Sequence, residues 1–328
     1  MGKSPMNLGA VVLAAGQGKR LKTACAKVLH LAHGRPLLAW VLDAVAAVGA
    51  QRTVVVVGHL RHQVEAFLAG QGVIPVLQDP PLGTGDAVRA ALPALAGCTW
   101  VLVVPGDAPL LTATTLNRLS ALAQQEEAAC ALLTACLAHP GGYGRVVRRH
   151  GEVVRIVEAK DASPEELALA EVNAGVYVFQ RAALQEVLPR LGRHNVQEEY
   201  YLTDVVGLLA EGGCRVVAYP LEDPEEMLGV NTRAELAVVA KKLNARTLRR
   251  WQEEGVTILD PESTWIEVGV HIGADTVLEP GVHLRGNSEL GEGCWIGAHS
   301  VLDDVRLPPR TRIPPLTYLK GGSPCAAS

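Results

Sequence analysis

Residues 10–30 read AVVLAAGQGKRLKTACAKVLH, an apolar run that gives way to two glycines and then to spaced cations. Ala10-Val11-Val12-Leu13 holds no polar side chain, which suits a strand buried in a parallel sheet. Gly16 and Gly18 let the backbone turn sharply and bring its N–H groups to phosphate oxygens, and Lys19, Arg20, Lys22 and Lys27 add positive charge beyond the turn. Strand, glycine turn and cations in that order point to a site for a nucleoside triphosphate. The turn is neither of the two common phosphate loops. No Ser or Thr follows Gly18-Lys19, and Leu21 stands where the third glycine of GxGxxG belongs. The specific feature is the wider string, Ala14-Ala15-Gly16 with Gly18 and Arg20, closed by Lys27-Val28-Leu29-His30.

Outward from this stretch, apolar runs at 53–57, 74–77 and 100–104 alternate with helical patterns over 36–48, 60–69 and 86–95. Such alternation predicts an α/β fold, a mixed and mostly parallel sheet with helices on both faces. Ligands of such sheets bind beyond the carboxyl ends of the strands. Gly16-Gln17-Gly18 and Pro105-Gly106-Asp107 both lie there, so the two motifs are expected to converge on one cleft. Residues 145–148 and 153–157 flank His150-Gly151 as a hairpin, and 175–179 read as a further strand, together a wall for a second substrate. Asn231-Thr232 precedes an Ala/Leu/Lys/Arg pattern that Gly255 stops, which predicts a linker helix over 232–255.

After Gly255 the period changes. Ile266, Ile272, Leu278, Leu284, Leu290, Ile296 and Leu302 recur every six residues, with small or β-branched residues two positions earlier at Thr264, Val270, Thr276, Val282, Ser288 and Ser300. A helical period of 3.6 does not generate this spacing; hexapeptide repeats of a short left-handed parallel β-helix do. The helix is expected over 256–313, with Pro308-Pro309 and Pro314-Pro315 breaking the repeat and 314–328 forming a tail.

The 328 residues suffice for two domains, and a hydrophobic content of 48% supports a substantial core. A net charge of −4 argues against a broad nucleic-acid surface, so the anion site is a local cluster. No apolar run reaches the roughly 18 residues of a membrane span, and the start MGKSPMNLG has no signal-peptide core, so the chain is expected to be cytoplasmic without a membrane partner. The seven cysteines (25, 98, 130, 136, 214, 294, 325) show neither CxxC nor zinc-finger spacing and are assigned no role. Cys325-Ala-Ala-Ser formally fits a prenylation box but has no polybasic run upstream. The pairs His30/His33 and His59/His62 lack a third ligand at useful spacing.

One carboxylate, Asp107, follows the apolar run 101–104 immediately, where a divalent ion on a triphosphate needs a hard oxygen. The next helix begins near Thr112 or Ala113, too late for Asp107 to be its cap.

The string around Gly16 and Arg20 resembles the sugar-1-phosphate nucleotidyltransferases, in particular the bifunctional bacterial family of N-acetylglucosamine-1-phosphate uridyltransferase/glucosamine-1-phosphate acetyltransferase. The likeness runs to about Asn231 and then thins. It implies a Rossmann-like nucleotidyltransferase domain over 1–231. Leu13-Ala14-Ala15-Gly16 match the stretch lining the nucleotide, Arg20 and Lys27 the catalytic cations on the triphosphate, and Gln78 with Gly83-Thr84-Gly85 the uracil-contacting segment. Pro105, Gly106 and Asp107 belong to the same nucleotide site. Asp107 and Asn231 match two ligands of Mg2+. Tyr143-Gly144-Arg145, Glu158, Lys160 and Asn173 resemble the sugar side, with Asn231 shared, and Glu199 to Asp204 match a segment near the sugar.

The resemblance implies uridylyl transfer from UTP to N-acetylglucosamine 1-phosphate, giving UDP-N-acetylglucosamine and pyrophosphate, and a homo-oligomer, a trimer through the β-helix. Three positions depart from the family pattern: Ala26 where proline is usual, Pro105 before Gly106-Asp107, and Ala174 in place of a hydroxyl residue. Acetyl transfer is expected to be absent, because segments resembling Asn-Phe-Val-Glu and Asn-Tyr-Asp-Gly do not occur and few residues follow Leu319. The alternatives are a uridylyl- or thymidylyltransferase for glucose 1-phosphate or another hexose phosphate, and a catalytically silent regulatory subunit.

Overall fold

Val11, Val54, Val101 and Val103 turn to one face of a single sheet and Ala10, Val12, Val55, Leu102 and Val104 to the other, all of them wholly buried. This is why those runs carry no polar residue: each face of the sheet is covered, so both sides of each strand must be apolar. The computed structural model describes residues 6–321. Cys325 and its box lie outside the described residues.

The chain divides into two compact units. One holds the chain up to His30 and Pro36–Arg233; the other holds Leu31–Arg35 and the chain from Ala234 onward. Among the described residues of the first, the strands are β1 (Leu8–Leu13), β2 (Arg52–Val57), β3 (Ile74–Leu77), β4 (Trp100–Pro105), β5 (Cys130–Cys136), β6 (Arg145–Arg149), β7 (Glu152–Val157), β8 (Glu171–Gln180) and β9 (Val216–Pro220). They lie in the order β9-β5-β8-β4-β1-β2-β3, with β6 paired to β8 and β7 to β6. β1 is parallel to both β2 and β4, β3 to β2, and β9 to β5, whereas β8 is antiparallel to β4, β5 and β6. The β6–β7 hairpin is antiparallel, so β7 and β8 run against the other strands.

Helices α1 (Leu37–Ala47), α2 (Arg61–Leu68), α3 (Thr84–Ala91), α4 (Ala113–Gln125), α5 (Arg181–Val187) and α6 (Thr203–Glu211) cover the sheet. α1, α2 and α4 supply Leu38, Val64 and Leu116 to one core; α3, α5 and α6 supply Val88, Leu184 and Val206 to the other. β5 and β9 were not legible as strands. β5 reads CALLTAC, with six buried positions but no β-branched residue beyond Thr134, so its preference for strand is weak until β8 and β9 pair with it.

In the second unit, α7 (Arg233–Glu253) precedes strands of two or three residues stacked in three parallel ladders of a left-handed β-helix. Ile266, Leu284 and Leu302 stack in one ladder, Ile272 and Leu290 in another, and Leu278 and Ile296 in the third. Asn244 of α7 holds the first coil, donating from Nδ2 to Thr264 O at 2.8 Å and accepting at Oδ1 from Ile266 N at 3.1 Å. Cys294 fills the small-residue position between Ser288 and Ser300 and is buried like them.

The prolines do not end the repeat. Arg312–Ile313 and Tyr318–Lys320 continue their ladders, with Leu319 on Leu302, so the coil runs past residue 313. Pro309 and Pro315 occupy turns, where no ladder needs an N–H. Gly291 and Gly297 of the preceding coil make room for them, since a Cβ there would stand 2.5 and 2.4 Å from their nitrogens.

Candidate active site

β1 and β4 are neighbours with Leu13 beside Pro105, so the turns that follow them are adjacent. Gly106 N donates to Leu13 O at 2.9 Å, and a Cβ on Gly106 would stand 2.9 Å from the same oxygen, which leaves glycine as the fitting residue. These turns form the floor of a cleft of about 560 Å³. Leu13, Ala15, Gly16, Arg20, Lys27, Gln78, Gly83, Thr84, Pro105, Asp107 and Asn231 line it, together with Gln17, Gly18, Lys19 and Glu199. Ala14 is buried in the core beneath. The convergence expected from the sequence is thus present, while Lys22 does not line the cleft.

Lys27, Asp107 and Asn231 meet although they are far apart in the chain. Lys27 Nζ donates to Asn231 Oδ1 at 2.7 Å and forms an ion pair with Asp107 Oδ2. Both partners of that pair are largely shielded, at 15% and 17% side-chain exposure, so the attraction is less screened than on an open surface. Val230 N donates to Asp107 O at 3.0 Å and docks the Asn231 segment. Glu226 anchors it further: its carboxylate accepts from Thr112 N at 2.9 Å, Thr112 Oγ1 at 3.0 Å and Thr115 Oγ1 at 2.9 Å at the start of α4. An anion belongs at a helix N-terminus, where unpaired N–H groups and the dipole favour it. Thr112 itself caps α4, accepting from Thr115 N at 3.2 Å. The sequence reading missed Glu226, whose only signal was a carboxylate five residues before Asn231.

At the far end, Gln78 Nε2 donates to Gly83 O at 2.9 Å and to Asp86 Oδ2 at 2.8 Å. Tyr200 is zipped to the turn before α3: Tyr200 N donates to Leu82 O and Gly85 N to Tyr200 O, each at 2.8 Å. Leu202 N donates to Thr84 Oγ1 at 3.0 Å. Arg89 lies over the Tyr200 ring at 4.8 Å.

Gly144, Glu158 and Asn173 group together, and none of the three is among the residues that line the cleft. Asn173 N donates to Gly144 O at 2.9 Å, and a Cβ on Gly144 would lie 3.6 Å from Glu158 Oε2. Glu158 Oε1 accepts from Thr203 Oγ1 at 3.0 Å. Burial pushes the Glu158 carboxyl above its ordinary range against the Thr203 hydrogen bond, and Asp204, Asp161 and Glu199 push the same way. Glu199 therefore connects the two regions, lining the cleft and acting on Glu158. Asn173 is engaged at both ends of its amide, donating to Tyr177 Oη at 2.7 Å and accepting from Gly175 N at 3.1 Å. Burial drives the Tyr177 phenol far up, so it stays protonated. Among the described residues no set of three His, Cys, Asp or Glu side chains is placed to hold a metal.

The family model of the MobA-like NTP transferase domain matches residues 10–253, and that of the bacterial transferase hexapeptide (six repeats) matches residues 269–304. The Bifunctional protein GlmU of Kineococcus radiotolerans is 47% identical over 301 residues, which is 90% of this chain and 61% of the relative. The protein of the same name from Pelobacter propionicus is 43% identical over 310 residues, 94% and 67% of the two chains. That from Trichlorobacter lovleyi is 44% identical over 336 residues, 96% and 73%. The chain belongs to the GlmU family. It spans 61% to 73% of the length of these curated relatives. The NTP transferase match covers the sheet and its cleft and runs on through α7 of the second unit, and the hexapeptide match falls on the three ladders. No helix among the described residues is long and apolar enough to cross a membrane.

Proposed function

We propose that this chain is a cytoplasmic enzyme that transfers uridylyl from UTP to N-acetylglucosamine 1-phosphate, releasing pyrophosphate. The observation that carries the reading is the meeting of Lys27, Asp107 and Asn231 in a cleft that the glycine turn and Arg20 also line. The attacking sugar phosphate is already an anion at pH 7, so the reaction needs little from a general base. The protein must instead bring two polyanions together, hold the attacking oxygen in line with the α-phosphorus and neutralise the departing pyrophosphate. Backbone N–H groups around Gly16 and Gly18 and the cations Arg20 and Lys27 suit the phosphates. Glu158 and Thr203 suit sugar hydroxyls, and the backbone N–H of Asn173 holds the Gly144 wall in place.

Asp107 and Asn231 would hold a divalent cation, proposed as Mg2+. Their oxygens reach the same nitrogen, Lys27 Nζ, so they are close enough to share a small cation, and both are hard donors. When bound, such an ion supplies charge neutralisation to the phosphates. Nucleotide oxygens and water are proposed to complete its shell.

We also propose that the β-helix serves association into trimers and that residues 1–328 do not carry acetyl transfer, since the segments named for it do not occur among them. Pyrophosphate release with a panel of nucleotides and sugar phosphates tests the main reading. The highest kcat/KM is expected for UTP with N-acetylglucosamine 1-phosphate; a higher value for glucose 1-phosphate would overturn the sugar assignment. A monomer in sedimentation would overturn the assembly role, and release of coenzyme A with glucosamine 1-phosphate the absence of acetyl transfer.

A further inference from the structure

Asp86 lies in the first turn of α3, and its two carboxylate oxygens have different partners. Oδ1 pairs with Arg89, and Oδ2 accepts from Gln78 Nε2 at 2.8 Å. The second partner of Gln78 Nε2 is Gly83 O at 2.9 Å. Both partners of this atom are acceptors, so it must be the nitrogen of the amide; chemistry, not fitting, fixes the flip. Among the described residues no hydrogen bond to Gln78 Oε1 is formed, and Gln78 lines the cleft. The group left for a ligand is therefore an acceptor.

We infer that Asp86 is a positioning residue that locks the Gln78 amide with its oxygen offered to the cleft, and so selects a pyrimidine bearing an imide N–H over cytosine. Uracil and thymine carry a hydrogen at N3 and can donate to such an oxygen. Cytosine has a bare N3 that meets it lone pair to lone pair. A flipped Gln78 would reverse the preference, but the flip would set its oxygen against Gly83 O and the Asp86 carboxylate. The lock is itself braced, because Arg89 holds Asp86 and lies over Tyr200, whose backbone is bonded to both ends of the Leu82–Gly85 turn. The inference rests on the nucleotide assignment proposed above.

An acid in the first turn also stabilises a helix through its dipole, and that role would change stability without changing base choice. The experiment separates the two. kcat/KM for UTP and for CTP is measured by pyrophosphate release, with calorimetric binding of each nucleotide and thermal unfolding, on the full chain and on Asp86→Ala and Asp86→Asn. The UTP-over-CTP ratio is expected to fall about tenfold in Asp86→Ala, the size of one oriented hydrogen bond, and to appear in binding as well as turnover. Asp86→Asn keeps an acceptor for Gln78 and is expected to stay within about threefold of the parent ratio. An unchanged ratio in Asp86→Ala, whatever its melting temperature, overturns the inference. So does Asp86→Asn losing discrimination as fully as alanine. If the unaltered chain shows no preference for UTP over CTP, the nucleotide assignment itself fails instead.

Discussion

Gly83→Ala isolates the turn proposed to face the nucleotide. Gly83 has φ 110 and ψ 175, a region that essentially only glycine adopts. An added Cβ would stand 2.6 Å from Tyr200 O and 2.8 Å from Tyr200 N, and these are backbone atoms that no rotamer change can move. The same two atoms carry the 2.8 Å hydrogen bonds to Gly85 N and Leu82 O. Backbone strain costs about 1–3 kcal/mol, and displacing Tyr200 loses two hydrogen bonds at about 1 kcal/mol each, for a total of about 3–5 kcal/mol. Opening the turn locally relieves much of this, and α3 then starts later. Because the turn also holds Gln78 and Thr84, the cost should emerge mainly as weaker UTP binding, roughly a hundredfold in kcat/KM if about 3 kcal/mol is expressed there. Pyrophosphate release at varied UTP, beside urea unfolding, measures both parts. Gly142→Ala is the control, since a Cβ there meets nothing within 4 Å. A Gly83→Ala protein with kcat/KM for UTP within about threefold of its parent and an unshifted unfolding midpoint would refute the steric reasoning.

Asp107→Ala and Asn231→Ala should each lose turnover on the scale of several kcal/mol, about what a metal contributes to such a transfer, and should raise the Mg2+ concentration for half-maximal rate; full activity at limiting Mg2+ in either variant would remove that residue from the ligand set. Glu158→Gln should be at least as stable as the parent at neutral pH. The raised carboxyl holds its proton more tightly when folded, so its contribution is fully present below about 4.5, the ordinary value, and is lost as pH rises through the folded value; unfolding free energies that give the parent the growing advantage as pH rises would reverse the sign. Leu284→Ala should destabilise the β-helix by about 2–5 kcal/mol, because Leu284 is wholly buried between Ile266 and Leu302. Leu316→Ala, at 80% exposure, should change stability by no more than about 0.5 kcal/mol. Denaturation followed through the tryptophans of the second unit compares the two, and equal shifts would contradict the assigned register.

The sequence by itself determined what depends on local order. Ala10-Val11-Val12-Leu13 suited a strand buried on both faces, with its glycine turn at the carboxyl end. The six-residue spacing from Ile266 to Leu302 pointed to hexapeptide coils, because a helical period of 3.6 does not generate it. Asp107 was legible as a candidate ligand from its setting and the family resemblance, and Asn231 from the resemblance alone. What the sequence left open depended on partners distant in the chain. β5 is a strand because β8 and β9 supply its hydrogen bonds, and the coil passes Pro309 and Pro315 because Gly291 and Gly297 lie one turn below. Glu226 is an anchor because Thr112 and Thr115 approach it from α4. The orientation of Gln78 belongs to the same class: the amide is symmetric in shape, and only the folded chain, by bringing two acceptors to one of its ends, decides which end donates.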